Sequence, residues 1–79
     1  MQNIYDSDTY RLAYFAMSNQ AMSLDSKARN ALSEGNTDAA RELIEEAHRR
    51  ITKYEISDLG VPEATSGIRK RVQRTEHLI

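Results

Sequence analysis

Apolar residues recur along the first half of the chain at Tyr10, Tyr14, Met17, Ala21, Leu24, Ala28 and Ala31. The steps alternate between four and three residues, which keeps one stripe on a single face of an α-helix. The pattern predicts a helix over about 7–34. Asp6, Ser7 and Asp8 suit its N-cap, with Ile4 and Tyr5 ahead of them as staple residues. Ser33-Glu34-Gly35-Asn36 marks its end, with Gly35 suited to the left-handed position beyond a helix C-terminus. A second stripe follows at Ala40, Ile44, Ala47, Ile51 and Tyr54, with Leu43 beside it. Asn36 or Thr37 can cap this helix, and Asp38 in its first turn complements the helix dipole. Glu45–Arg49 and Glu46–Arg50 are spaced to pair along its surface. Gly60 and Pro62 are stop signals, so the second helix is expected over 37–59.

Two matching stripes joined by a tight turn predict an antiparallel helical hairpin. Folding about Gly35 and Asn36 brings Ala31 to Ala40, Ala28 to Leu43 and Ile44, and Leu24 to Ala47. Farther from the turn, Ala21 meets Ile51 and Met17 meets Tyr54. Small residues cluster at the turn, where the backbones can approach closely. Larger ones fill the open end. Residues 60–67 read as a linker, rich in Gly, Pro, Ser and Thr. Ile68, Val72, Thr75 and Ile79 then recur at helical spacing among Arg69, Lys70, Arg71 and Arg74. The expected organisation is a hairpin domain (1–59), a linker (60–67) and a short basic amphipathic C-terminal helix (68–79). The fold class is all-α.

The first helix carries a second apolar face. Leu12, Phe15 and Met22 lie far around it from the stripe, at about 100° per residue. Together with Tyr10 they form the expected partner or dimer face: Tyr10, Leu12, Phe15 and Met22. A helix apolar on two sides is buried on two sides, and the second helix covers only one. The C-terminal segment, a second copy or a partner must cover the other.

Size sharpens this expectation. At 79 residues with one Phe, no Trp and no Cys, the chain has a thin core and no disulfide. A single core of this size supplies about 3–5 kcal/mol, so a homodimer forming a helical bundle is expected. No apolar run approaches the about 18 residues of a membrane span. The N-terminus has neither a basic start nor an apolar stretch, so no signal peptide is expected. The expected compartment is the cytoplasm. Net charge is −1, but it is unevenly spread. Residues 1–67 hold seven basic and eleven acidic side chains, whereas 68–79 hold four basic and one acidic. The basic segment Arg69, Lys70, Arg71 and Arg74 has three readings. It folds back on its own acidic hairpin, meets an acidic protein, or contacts phosphate.

Candidate chemistry is sparse. Glu45-x-x-His48 has the spacing used by carboxylate-bridged metal bundles, but both side chains point away from the Ala47 stripe. The expectation is a solvated face and no metal. His77 has no partner nearby in sequence. No strained turn organises a Ser-His-Asp set, and Gly35, Gly60 and Gly67 do not form a phosphate loop. Tyr14 and Tyr54, at heptad positions, read as core residues with a wet hydroxyl. No catalytic residue, metal or cofactor is expected, and the chain does not read as an enzyme.

The stretch from Gly35 to Ala47 resembles the second half of a tetratricopeptide repeat. Gly35, Ala40, Ile44 and Ala47 match the motif's glycine, small, bulky and small positions, and Ala28 matches a small position of its first helix. The likeness covers one hairpin. The first helix is longer than the motif's, no second repeat is visible, and no proline follows at repeat spacing. The resemblance implies peptide or protein binding.

The expected function is a small interaction module, an inhibitor or adaptor of a larger protein, of the kind that phages and mobile elements encode. The alternative is a dimeric nucleic-acid-binding regulator that presents the basic segment twice. Helix-turn-helix spacing is missing and the basic run lacks aromatic residues, so a protein partner ranks above nucleic acid. No membrane partner is expected.

Overall fold

The computed structural model describes residues 7–79. Three α-helices make up the fold: α1 (Ser7–Ser33), α2 (Thr37–Glu55) and α3 (Ser66–Glu76), with a 3-10 turn at Pro62–Thr65 before α3. No strand occurs among the described residues. Asp6, Ile4 and Tyr5, expected to cap and staple α1, lie outside them.

The α1–α2 turn is built from local chemistry. Gly35 takes φ 78°, the left-handed conformation that is free of strain only without a Cβ. That lets the Asn36 amide donate to the Ala31 carbonyl (2.8 Å) and the Gly35 amide to the Leu32 carbonyl (3.0 Å). These two bonds satisfy carbonyls that the end of α1 would leave bare. Asn36 then starts α2, its side-chain oxygen accepting from the Ala39 amide at 3.2 Å.

The two stripes face each other. Met17, Ala21, Ala28, Ala40, Ile44, Ala47, Ile51 and Tyr54 are buried, while Tyr14, Leu24, Ala31 and Leu43 pack half-buried against them. Tyr14 and Tyr54 meet edge to face with centroids 6.1 Å apart, a favourable aromatic geometry. Four of the buried residues are alanines with no exposed surface. Close helix approach therefore depends on small side chains. Ala28→Leu or Ala47→Leu is expected to cost about 1–3 kcal/mol by overpacking. The readout is melting temperature, which falls about 4–8 °C per kcal/mol in a domain of this size. Two unchanged values would place these alanines outside the seam.

α2 stops at Glu55, four residues before the expected 59. Its end is fixed by contacts at the Tyr54 carbonyl. The Ser57 hydroxyl donates to that carbonyl at 2.7 Å and the Ser57 amide at 3.1 Å. Gly60 packs so closely against the same carbonyl that a Cβ there would lie 1.8 Å from the oxygen. The chain thus reverses before Gly60 and Pro62 are reached. α3 runs from Ser66 to Glu76, so the expected C-terminal helix is present with its start two residues earlier and its end three residues earlier than 68–79. Ile68, Val72 and Thr75 are buried, with Ile79 packed half-buried on the core.

α3 packs against both other helices. Arg69 reaches Thr52 and Glu55 while Glu76 reaches His48, so α3 runs antiparallel to α2. Arg71 lies beside Asp25, which sets the level of α3 against α1. Counting back along parallel helices of equal rise, α3 begins level with Gln20. The turn half of the rod is a three-helix bundle. The open half, with the first turns of α1, projects beyond α3. The molecule measures 55 × 16 × 15 Å.

Candidate interaction surfaces

The expected partner face on α1 is divided by the point where α3 begins. Met22 is half-buried on the core, its sulfur accepting from the Ser18 hydroxyl at 3.6 Å. Tyr10 is also half-buried. Leu12 and Phe15 lie before the start of α3 and remain 70% and 51% exposed. The Phe15 ring meets Tyr14 edge-on at 6.1 Å, and Tyr14 leans on Tyr54. Ile56 (79% exposed) and Leu59 (36%) sit at the same end of the rod, where α2 finishes. The structure therefore gathers exposed apolar side chains at the open end and leaves Met22 out of that group.

The basic segment divides as well. Arg69 projects across α2 and meets three residues of one helical stripe. Its Nη1 donates to His48 Nδ1 (3.1 Å), and its Nη2 donates to Thr52 Oγ1 (2.9 Å) and Glu55 Oε1 (2.8 Å). A guanidinium only donates, so His48 Nδ1 accepts and the opposite ring nitrogen carries the proton. That Nε2–H donates to Glu76 Oε1 at 3.1 Å. The Thr65 hydroxyl donates to the other oxygen of Glu55. Arg71 lies on the α1 side, 3.6 Å from Asp25. Lys70 and Arg74 are exposed and have no ion pair among the described residues.

Sequence reasoning missed two members of this arrangement. His48 reads as a solvated residue in the sequence, yet it is the link between Arg69 and Glu76. Asp25 has no exposed surface, and Arg29 and Arg71 flank its Oδ2 at 3.6 Å each. These contacts exceed hydrogen-bond length, and neither carboxylate oxygen of Asp25 has a hydrogen bond among the described residues. Two guanidinium groups offset a charge that would be costly to bury alone. The available signal was Asp25's position next to Leu24 on the seam, one turn before Arg29.

The hydrogen bond from Arg69 holds the Glu55 carboxyl below its ordinary value, and the Thr65 hydroxyl adds to the effect. Glu46 is lowered too, by hydrogen bonds from Arg49 and then Arg50, but that pair is solvent-screened. A carboxyl depressed in the folded chain stabilises it above the unfolded value of 4.5, and this is lost as pH falls through the folded value. Stability is therefore expected to decline with acid below about pH 4.5, and Glu55→Gln should flatten the decline more than Glu46→Gln. Urea midpoints between about pH 3 and 7 test this, and equal slopes in both variants would remove Glu55 from the account.

Glu45 is exposed and lines a hollow with Ile44, Glu76 and Ile79, and no group of three or more His, Asp or Glu side chains among the described residues is placed to hold a metal ion. No helix among them is long and apolar enough to cross a membrane. No known protein family, curated protein or solved structure matches the chain.

Proposed function

We propose that this chain is a small non-enzymatic interaction module that inhibits or bridges a larger protein, and that it works as a homodimer. The observation that supports this reading is the exposure of Leu12 and Phe15 on the part of α1 that α3 does not cover. Water-exposed Phe and Leu on a rigid helix are poor for solubility and good for recognition. Aromatic anchors with an apolar surround supply most of the energy in protein interfaces. The Phe15 ring meets Tyr14 edge-on, and Tyr14 in turn leans on the buried Tyr54, so the anchor is continuous with the core. The thin core of a 79-residue chain gains from burying this end against a second copy.

The test is Phe15→Asp. Light scattering of the unsubstituted protein is expected to give twice the 9.0 kDa chain mass, and the variant is expected to give the single-chain mass with its helix content kept. In a comparative pull-down, proteins retained by the unsubstituted chain should be lost with the variant. A monomeric parent overturns the homodimer, and unchanged capture by the variant overturns the interaction face. A nucleic-acid role for the basic C-terminal segment would have to rest on Lys70 and Arg74, because Arg69 and Arg71 are engaged with Glu55 and Asp25. Duplex binding tight at about 150 mM salt and lost on neutralising Lys70 and Arg74 would favour that role instead.

A further inference from the structure

The α1–α2 hairpin has two grooves, and α3 fills one of them. That groove is lined by Asp25 on α1 and by His48, Thr52 and Glu55 on α2. The opposite groove lies across the seam and is open. It consists of two hollows of about 400 and 270 Å³ that share Gln20 and Arg50 and so form one cleft. The cleft runs along α1 from Ala13 to Lys27, about 21 Å at 1.5 Å per residue. Its apolar surface comes from the half-buried Ala13 and Leu24, with Met17 and Tyr54 only 4% and 7% exposed beneath them; Asn19, Gln20, Ser23 and Ser57 add polar surface, and its rims carry Lys27, Arg50 and Lys53.

The charge of this cleft runs against that of the chain. Net charge overall is −1, yet among the described residues no carboxylate lines either hollow. Lys27 and Lys53 have no ion pair among the described residues. Arg50 shares the single carboxylate of Glu46 with Arg49, at 2.7 Å from each arginine, so that trio keeps a net positive charge. From this we infer that the cleft receives an amphipathic helix of a partner protein, about four turns long, with an apolar stripe and carboxylates on both flanks. The helix would occupy the fourth position of a bundle whose third position α3 already holds. Ala13 and Leu24 between cationic rims match such a helix in both its stripe and its flanks. A phosphate backbone would gain nothing from Ala13 and Leu24. The site is distinct from Leu12 and Phe15, so its partner helix and the open-end contact can be separated by mutation.

The experiment uses the full chain and two fluorescein-labelled synthetic helices of about 14 residues, a length that matches the cleft. Both carry leucines at i, i+4, i+7 and i+11; one has glutamates on the flanks, the other lysines. Fluorescence anisotropy is expected to show binding of the glutamate peptide and none of the lysine peptide. Lys27→Glu with Lys53→Glu should weaken the glutamate peptide at least about tenfold and admit the lysine peptide. Lys27→Gln with Lys53→Gln should weaken the first without admitting the second. Circular dichroism of both variants is expected to match the parent, because both lysines are exposed. Equal binding of the two peptides, binding of neither, or no effect of the lysine substitutions overturns the inference. So does loss of peptide binding in Phe15→Asp, which would place the peptide at the open end. Loss of self-association in the Lys27→Glu/Lys53→Glu variant would make a second copy the occupant and also overturn it.

Discussion

Gly60→Ala is expected to destabilise the chain by about 3 kcal/mol or more, the upper end of what overpacking costs. A chain of this length holds only about 4–12 kcal/mol in all. The added methyl would lie 1.8 Å from the Tyr54 carbonyl oxygen and 2.9 Å from its carbon. Both are backbone atoms at the end of α2, so neither can rotate away. The oxygen already accepts from the Ser57 amide and hydroxyl, and the Ser57 hydroxyl oxygen would itself lie 3.1 Å from the added methyl. Relief has to come from the linker, which then moves the 3-10 turn and α3. Thr65 and Arg69 would lose their geometry on Glu55 in the same step. Urea unfolding reads the energy, and amide exchange should show α3 opening before α1 and α2. A loss under about 0.5 kcal/mol, typical of an inert surface site, would disprove the close approach.

The same residue marks a limit of sequence reading. Gly60 and Pro62 are genuine punctuation, but glycine serves here as a space for a neighbouring carbonyl, and that role depends on tertiary contact. The sequence therefore reads α2 as four residues longer than it is. The α1–α2 turn is different, because everything that builds it lies between Ala31 and Ala39. The two stripes and the α3 stripe were legible for the related reason that burial follows helical period. Phe15 and Met22 have the same apolar character on one side of α1, and period alone cannot separate them. The level at which α3 begins covers Met22 and spares Phe15, and it is set by the length of the linker and the seating of Arg71 on Asp25. Charge asymmetry pointed the basic segment toward acidic surface. Which arginines engage follows from helix phase: Arg69 faces α2, Arg71 faces α1, and Lys70 and Arg74 face neither.

Ile51→Ala is expected to cost about 2–5 kcal/mol, near the upper end, whereas Ile51→Val costs about 0.5–1.5. Ile51 has no exposed surface and is among the largest fully buried side chains. The hairpin register sets it close to Ala21 on α1, and the antiparallel register of α3 sets it level with Val72. The cost of a deletion depends on how far the surroundings can close over the cavity. Here they cannot move far. Ala21 has no side chain to swing inward, Val72 is β-branched with few rotamers, and α3 is held in place by Arg69 and Arg71. A loss of this size approaches the whole stability of a chain this small, so the variant should be partly unfolded near room temperature. Chemical denaturation at several protein concentrations separates this loss from any contribution of self-association, which alone makes the midpoint concentration-dependent. If Ile51→Ala costs no more than Ile51→Val, the three helices do not converge on Ile51 and the bundle register is wrong.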